Sequence, residues 1–221
     1  MEHRTETTFR RTEMLQLITD SPTAEGTAGQ ALAALRGGCR WVQVRMKDAS
    51  DEEVEKAIDL ILPNCRETGA TLIIDDRVEL AKRTGADGVH LGKNDMHPLD
   101  ARAILGPDKI IGATVNTIED IDNLDLEAID YLGIGPFRFT TTKKRLAPTL
   151  GLDGYRKIMT LLRKRADIPT VAIGGITLAD IPQIMATGVS GIAISGAINH
   201  AADPTAATRQ IMKSITQNNP K

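Results

Sequence analysis

Short apolar runs recur at regular intervals along the chain, and most residues capable of chemistry come directly after them. Each run has the length and the β-branched content of a buried parallel strand. Eight such runs occur, at 15–19, 41–44, 71–74, 88–91, 110–113, 131–134, 169–173 and 191–194. Stretches of helical pattern separate them, at 27–36, 51–67, 78–83, 98–105, 117–126, 155–164, 178–186 and 204–215. This alternation predicts an α/β fold, a single-domain (β/α)8 TIM barrel.

The loops after the strands are the expected place for the active site, because barrels of this kind build it there. Residues 14–218 fit one barrel, and a chain of 221 residues has no room for a second domain. Residues 1–13 are polar and charged, and we expect a loose N-terminal extension there.

Ser50 and Thr177 are expected to cap helices. Left-handed helix ends are expected at Gly37, Gly69, Gly85 and Gly188.

Composition narrows the choice of partners. A net charge of -2 and a pI near 6.1 argue against nucleic-acid binding, so an anionic ligand must be held by a local cluster of cations. No apolar run approaches the length that crosses a membrane. Cys39 and Cys65 lack metal-site spacing and are interpreted as reduced thiols of a cytoplasmic protein.

A basic cluster follows the second strand. Alternation along the strand places Gln43, Arg45 and Lys47 on one side, so an amide and two cations are expected to converge at the barrel mouth. Arginine can grip two phosphate oxygens while lysine supplies a point charge, so the cluster suits a phosphate or pyrophosphate. The alternative is a strand end that merges into a solvated loop.

Carboxylates follow the next two strands. Asp75 and Asp76 come after the third strand and Asp95 after the fourth, so adjacent parallel strands should bring them together. Hard oxygen ligands at a barrel mouth suit Mg²⁺, which keeps several waters and shares substrate phosphate oxygens. Loop capping or salt bridging is the alternative, and the neighbouring basic cluster favours a metal-bridged pyrophosphate.

A third cluster lies at the end of the chain's strand series. Gly174 and Gly175 follow the seventh strand, and Ser195 and Gly196 follow the eighth. Barrels commonly bind a phosphate with the backbone amides of these two loops. Tight turns that need flexible residues are the alternative.

Two other features stand out. Residues 137–150 make an unusually long connection on the expected catalytic face, typical of a lid or a binding loop. His90 lies within the fourth strand and is interpreted as a hydrogen-bonded barrel residue rather than a catalyst. His97 is interpreted as a loop residue.

With these residues assembled, the chain resembles the thiamine-phosphate synthase family from about residue 15 to residue 198. The resemblance is carried by QVRMK at 43–47, IDDR at 74–77, ADGVHLG at 86–92, GPFRFTTTK at 135–143 and IGGI at 173–176. Their order and spacing together are specific to the family.

The family joins 4-amino-5-hydroxymethyl-2-methylpyrimidine diphosphate to a thiazole phosphate and releases pyrophosphate, with Mg²⁺ as cofactor. The resemblance implies that Asp76 and Asp95 hold the metal, and that the catalytic residues are Arg45, Lys47, Lys143 and Thr114. It implies that substrates contact Gln43, Arg45, Lys47, Asp75, Thr114, Thr140, Thr142, Lys143, Gly174, Gly175, Ser195 and Gly196. In this chemistry the pyrimidine C–O bond breaks before the thiazole nitrogen attacks, so no general base is needed.

Three departures from the family pattern are visible. Asp75 stands where the family usually has asparagine, which adds negative charge beside the diphosphate. Thr114 replaces the usual serine, and its methyl group stiffens and crowds the site. The family commonly has glutamate at Met46 and a Gln-Glu pair at 93–94, which leaves the principal cations and carboxylates intact.

Two other functions are weighed against this one. The first is a thiazole tautomerase of the same lineage, which needs no diphosphate grip and would have no use for Lys47, Asp76 and Asp95. The second is a non-catalytic barrel that binds a phosphorylated metabolite and regulates a partner. The residues leave open whether the chain forms a homo-oligomer.

Overall fold

Eight parallel strands close into a barrel in which every strand pairs with its neighbours in chain order. The computed structural model describes residues 15–139 and 148–218. The strands are β1 (Leu15–Ile18), β2 (Trp41–Val44), β3 (Thr71–Asp75), β4 (Gly88–Leu91), β5 (Ile110–Val115), β6 (Tyr131–Ile134), β7 (Thr170–Ile173) and β8 (Gly191–Ile194). β8 returns to pair with β1, so the sheet has no open edge. The predicted single-domain (β/α)8 barrel is confirmed.

Helices surround the barrel and alternate with the strands. They are α1 (Ala24–Arg36), α2 (Asp51–Thr68), α3 (Val78–Thr84), α4 (Pro98–Leu105), α5 (Ile118–Asp122), α6 (Gly151–Leu162), α7 (Ile181–Met185), α8 (Gly196–Asn199) and α9 (Pro204–Asn218). Short 3₁₀ turns occupy Leu126–Ala128 and Leu178–Asp180. Among the described residues, no helix is both long and apolar enough to cross a membrane. The extension expected at residues 1–13 lies outside the described part of the chain.

Local signals account for several helix ends. The Ser50 side chain accepts a hydrogen bond from the Glu53 amide and starts α2, and Thr177 forms a capping box with Asp180, as predicted. Gly69, Gly85 and Gly188 have positive φ, also as predicted. The prediction for Gly37 is wrong, because its φ is -76° and Gly38 takes the left-handed conformation instead. A Cβ on Gly37 would lie 2.4 Å from Thr208, so close packing against α9 explains that glycine.

Two predicted helices differ in extent, and one further helix is present. The helix expected over 117–126 stops at Asp122, because Asn123 ends it and the Asp125 side chain caps the separate turn Leu126–Ala128. The helix expected over 178–186 is a 3₁₀ turn followed by α7. Helix α8, directly after β8, was not expected.

The core has an outer layer between the strands and the helices and an inner layer inside the barrel. The inner apolar cluster draws on alternate strand positions and consists of Ile18, Trp41, Ile73, Ile110, Tyr131, Val171 and Ala193. Trp41 packs edge-on against Tyr131, with ring centroids 4.7 Å apart. Because this layer fills the barrel interior, we expect a ligand to bind at the barrel mouth.

Candidate active site

The basic cluster after β2 converges on the carboxylates after β3. Gln43 Nε2 donates to Asp75 Oδ1 over 2.7 Å. Arg45 Nε lies 3.4 Å and Lys47 Nζ 3.5 Å from Asp75 Oδ2, and Lys47 also forms an ion pair with Asp76. The predicted convergence is therefore confirmed: pairing of β2 with β3 brings the three side chains to one point of the rim.

Electrostatics keeps the Lys47 ammonium charged. Burial acts to lower the pKa of Lys47, but the carboxylates of Asp75, Asp76 and Asp95 outweigh it and raise that pKa. Its side chain is 42% exposed, so the cation faces solvent at the mouth as well as the carboxylates beneath it. An anion that arrives at the rim therefore meets a fixed positive charge.

The carboxyl groups of Asp76 and Asp95 interact with each other. Asp76 has a φ of 66°, an uncommon conformation for a residue with a side chain, and its amide donates to the His90 carbonyl of β4 over 2.9 Å. Burial, the neighbouring Asp95 carboxylate and repulsion from Asp75 raise the pKa of Asp76 to about 7, against the opposing effect of Lys47. Burial resists ionisation of Asp95, but Asp76, the Gly92 amide and Lys47 outweigh it and lower the pKa of Asp95.

These carboxylates fit a small divalent cation. Asp76 Oδ1 is buried and has no hydrogen-bond partner. Asp95 uses Oδ2 to accept from the Gly92 amide at 2.7 Å, which orients its carboxyl group, and a Cβ on residue 92 would come within 2.8 Å of that oxygen. Within residues 15–139 and 148–218, no cluster of three or more carboxylate, histidine or cysteine ligands surrounds a single point. A two-carboxylate site suits Mg²⁺, which retains waters and takes phosphate oxygens.

Asp75 has its extra charge compensated. Its Oδ2 faces both Arg45 and Lys47, while its Oδ1 accepts from Gln43. The carboxylate thus engages the same cations that were predicted to grip a diphosphate. This arrangement answers how the chain accommodates an aspartate where the family usually has asparagine.

Thr114, at the carboxyl end of β5, lines a cavity between the segments that follow β4 and β5. The cavity has a volume of about 320 Å³, and Asp95, Lys93 and Asp120 also border it. Lys93 forms an ion pair with Asp120 at 2.5 Å, which ties the loop after β4 to the start of α5. Thr114 Oγ1 lies 3.0 Å from His90 Nε2.

The two histidines behave as interpreted. His90 is buried and is hydrogen-bonded through both ring nitrogens, to Thr114 and, at 2.9 Å, to Tyr131 Oη. The reading of His90 as a hydrogen-bonded barrel residue is therefore confirmed. His97 lies in the loop before α4 and accepts from the Leu99 amide.

The loop after β7 packs against the loop after β6. Gly174 and Gly175 have φ values of 99° and 67°, and Cβ atoms there would collide with Pro136 and with the Arg138 side chain respectively. The β6 and β7 loops are joined by hydrogen bonds from the Phe137 and Arg138 amides to the carbonyls of Ile173 and Gly174. These glycines are required by both backbone conformation and close packing.

Ser195 is engaged by its neighbours. Its hydroxyl donates to Asp20 Oδ2 over 3.2 Å and accepts from Asn199 Nδ2 over 3.1 Å. With the hydroxyl proton directed at a carboxylate, the backbone of Ser195 and Gly196 is the better candidate for an anion contact than the side chain. Thr140, Thr142 and Lys143 lie outside the described residues, on the connection between β6 and α6.

Three residues near the site were given no functional role from the sequence. Asp20 holds Ser195, and Thr19 Oγ1 accepts from the Arg45 amide at 2.9 Å, so the loop after β1 orders both of its neighbours. Arg77 donates to the Met46 and Ala49 carbonyls at 3.1 and 2.6 Å and pairs with Asp51, which pins the loop that carries Lys47. A polar residue at a strand's carboxyl end was the available signal for Asp20.

Comparisons with known proteins concern the family to which the chain belongs. A family model described as thiamine monophosphate synthase matches residues 15–198. The thiamine-phosphate synthase of Phocaeicola vulgatus is 53% identical over 204 residues, covering 91% of this chain and 98% of that protein. The thiamine-phosphate synthase of Bacteroides thetaiotaomicron is 54% identical over 200 residues, covering 90% and 95%.

Solved structures give the same result. Thiamine phosphate pyrophosphorylase from Pyrococcus furiosus superposes with a TM-score of 0.81 at 35% identity, covering 94% of this chain and 98% of that one. A 3-hexulose-6-phosphate synthase, at 17% identity and a TM-score of 0.63, shares the fold alone. The chain therefore belongs to the thiamine-phosphate synthase family.

Proposed function

We propose that the rim formed by the loops after β2, β3 and β4 drives the family's reaction by drawing diphosphate away from the pyrimidine. The reaction joins 4-amino-5-hydroxymethyl-2-methylpyrimidine diphosphate to thiazole phosphate and releases pyrophosphate. The observation that carries the proposal is the packing of Arg45 and Lys47 against Asp75 and Asp76, with Asp95 beside Asp76. Cations and hard oxygen ligands together are what a departing diphosphate requires.

The cations and amide have distinct tasks. Arg45 and Lys47 bind the diphosphate oxygens, and Lys143 joins them from the β6–α6 connection. Arg45 is held in place by Thr19 below and Asp75 beside it. Gln43 keeps its Oε1 buried without a hydrogen-bond partner while its Nε2 is used by Asp75, so a donor on the substrate, such as the pyrimidine amino group, completes it.

Asp76 and Asp95 are the residues that would hold Mg²⁺. When bound there, the ion supplies positive charge against the phosphate oxygens. The unpartnered Oδ1 of Asp76 and the Asp95 carboxylate, which the Gly92 amide orients, are the donors offered. Lys47 lies in contact with Asp76, so the residues that would hold the metal lie next to those that bind the diphosphate.

The remaining residues position the thiazole phosphate. We assign Thr140 and Thr142, Gly174 and Gly175, and the Ser195–Gly196 backbone to that phosphate. Since the C–O bond breaks first and the thiazole nitrogen is already nucleophilic, these residues orient the nucleophile rather than deprotonate it. This accounts for a site with cations, carboxylates and hydroxyls and no assigned general base.

The test is pyrophosphate release measured with the pyrimidine diphosphate and each candidate thiazole phosphate, carboxylated or not. We expect release to require both substrates and Mg²⁺ and to stop in excess chelator. Asp95→Ala and Lys143→Ala should each lower turnover by about a hundredfold or more while the fold persists. Asp125→Ala, which removes a turn-capping carboxylate from the loop after α5, is the matched control and should turn over normally.

Other outcomes identify the alternatives. Isomerisation of a thiazole carboxylate phosphate without any pyrophosphate release would show a tautomerase. Binding of phosphorylated ligands in calorimetry without turnover would show a non-catalytic barrel. Coupling that continues undiminished in chelator would remove Mg²⁺ from the mechanism.

The cellular setting follows from the same features. Cys39 and Cys65 are both buried and neither forms a disulfide, which is consistent with a cytoplasmic, reducing location. The slightly acidic charge gives no electrostatic basis for nucleic-acid binding, so the partners proposed are the two small-molecule substrates. Light scattering would decide whether the enzyme is a monomer or a homo-oligomer.

A further inference from the structure

Four buried polar side chains form a continuous hydrogen-bond chain across the barrel interior. Gln16 Nε2 lies 3.1 Å from Tyr131 Oη, Tyr131 Oη lies 2.9 Å from His90 Nδ1, and His90 Nε2 lies 3.0 Å from Thr114 Oγ1. The four residues come from β1, β6, β4 and β5, and none is more than 7% exposed. The chain begins in the apolar interior and ends at Thr114 on the cavity.

The donor and acceptor groups of these four side chains set the direction of the hydrogen bonds between them. The Gln16 Nε2 group has only protons to offer, so Tyr131 Oη accepts from it. The phenol has one proton, and His90 Nδ1 is an acceptor 2.9 Å from it. Burial raises the pKa of Tyr131 far above neutrality, so that proton stays on the phenol. Tyr131 therefore donates to Nδ1, and a neutral imidazole that accepts there carries its proton on Nε2.

A proton on His90 Nε2 affects Thr114, which lines the cavity. His90 Nε2 donates to Thr114 Oγ1, so the threonine's own proton is left for a partner elsewhere. Thr114 lines the same 320 Å³ cavity as Asp95, one of the two carboxylates assigned to the metal. A threonine is also stiffer about χ1 than a serine, so its hydroxyl direction is better defined.

We propose that His90 is a positioning residue whose tautomer, set by Gln16 and Tyr131, presents Thr114 as a hydrogen-bond donor to the bound pyrimidine diphosphate. This deepens the proposed function and rests on it. The acceptor is an atom of that substrate on the side of the cavity where Asp95 lies. His90 itself does not touch substrate in this assignment, and it transfers no proton in the reaction.

The first test concerns the tautomer and needs no substrate. Long-range ¹H–¹⁵N NMR of histidine-labelled protein identifies which ring nitrogen carries the proton, and His90→Gln assigns the signal among the four histidines of the chain. We expect the Nε2–H form in the native protein and loss of that preference in Tyr131→Phe. A native Nδ1–H form would make His90 the donor to Tyr131 and Thr114 the donor to His90, which would overturn the proposal.

The second test separates positioning from structure. Thr114→Val should lower kcat/KM for the pyrimidine diphosphate about tenfold, the scale of one lost hydrogen bond, with the KM for thiazole phosphate unchanged. Thr114→Ser should restore most of the loss. His90→Gln, whose amide nitrogen can replace Nε2, should retain more activity than His90→Asn, which cannot reach Thr114.

A double-mutant comparison decides whether the residues act as one unit. Tyr131→Phe should lower kcat/KM in the native background and have no further effect in Thr114→Val. Tyr155→Phe is the matched control. It also removes a buried hydroxyl, which donates to the Ile134 carbonyl over 2.7 Å, but Tyr155 is not one of the four hydrogen-bonded residues. It should reduce thermal stability and leave kcat/KM intact.

Opposite results overturn the inference. Fully additive losses in the Tyr131→Phe, Thr114→Val double variant would show that the phenol does not act through Thr114. An equal loss in Tyr155→Phe would show that only general stability was changed. If the native protein releases no pyrophosphate at all, the proposed function fails, whereas the tautomer measurement still stands or falls independently.

Discussion

The charge at position 75 offers the sharpest test of the electrostatic reasoning. Asp75→Asn keeps an oxygen that can accept from Gln43 Nε2, now at 2.7 Å, and removes the charge that faces Arg45 and Lys47. Arg45 and Lys47 then no longer interact with a carboxylate at residue 75 when they bind the diphosphate. We expect the variant to bind the pyrimidine diphosphate more tightly than the native enzyme.

The magnitude follows from the distances. Two unit charges about 4 Å apart interact by about 1 kcal/mol in water and about 4 kcal/mol at an effective dielectric of 20. Lys47 is 42% exposed and Arg45 only 16%, so the site lies between these limits and nearer to water on the Lys47 side. Because a bound diphosphate lies beyond the cations from Asp75, we take the lower part of this range, about 1.4 kcal/mol or a tenfold change in affinity.

Two measurements check this value at fixed Mg²⁺. Initial rates should give a KM for the pyrimidine diphosphate about tenfold lower, with the KM for thiazole phosphate unchanged, and calorimetry with inorganic pyrophosphate should show the same gain. The difference should shrink as salt is raised, because exposed charges are screened. Asp87→Asn removes an equal charge beside Arg66, near the start of β4, and controls for net charge.

Weaker binding in Asp75→Asn would refute the reasoning. It would mean that the carboxylate supports the metal or orients Arg45 and Lys47 productively, rather than competing for them. An unchanged KM would mean that the three-way contact with Arg45 and Lys47 opens before substrate binds.

Further predictions concern single groups. Lys47→Met should lower kcat at least about a hundredfold, because it removes the cation in contact with both Asp75 and Asp76; a change of less than threefold in rapid-quench turnover would exclude it from the chemistry. Asp76 ionises near 3.8 in the unfolded chain and at about 7 in the metal-free fold, so the folded protein holds more protons between these values and stability falls as pH rises. Asp76→Asn should therefore raise the free energy of unfolding by about 1–2 kcal/mol at pH 8 and change it little at pH 4. The gain is smaller than the full pKa shift of Asp76 implies, because removal of the Asp76 charge also affects the ionisation of Asp95. Urea titration with the opposite ordering of the two pH values would contradict this. Burial raises the pKa of the Cys65 thiol to about 12, so a disulfide reagent at pH 8 should react with it only after unfolding, and rapid labelling of native protein would show an open core.

Much of the architecture could be read from local patterns. Eight apolar runs separated by helical stretches indicated the barrel, because strand alternation and helix periodicity are properties of a few consecutive residues. The spacing of Gln43, Arg45 and Lys47 placed them on one side for the same reason, and the structure brings them to one carboxylate. Helix limits were less accessible, as Asn123 and Asp125 show by splitting a continuous helical pattern into α5 and a separate turn.

The partners of the rim residues depended on closure of the barrel. Asp20 and Ser195 are 175 positions apart and meet because β8 pairs with β1. Gln16 and Tyr131, 115 positions apart, meet because opposite strands face a common interior, and the donor direction that reaches Thr114 depends on that meeting. Side-chain type and spacing are local properties and could be read from the sequence. Compensation of the Asp75 charge, the raised pKa of Asp76 and the hydrogen bonds of His90 arise from groups that only three-dimensional packing brings within a few ångströms.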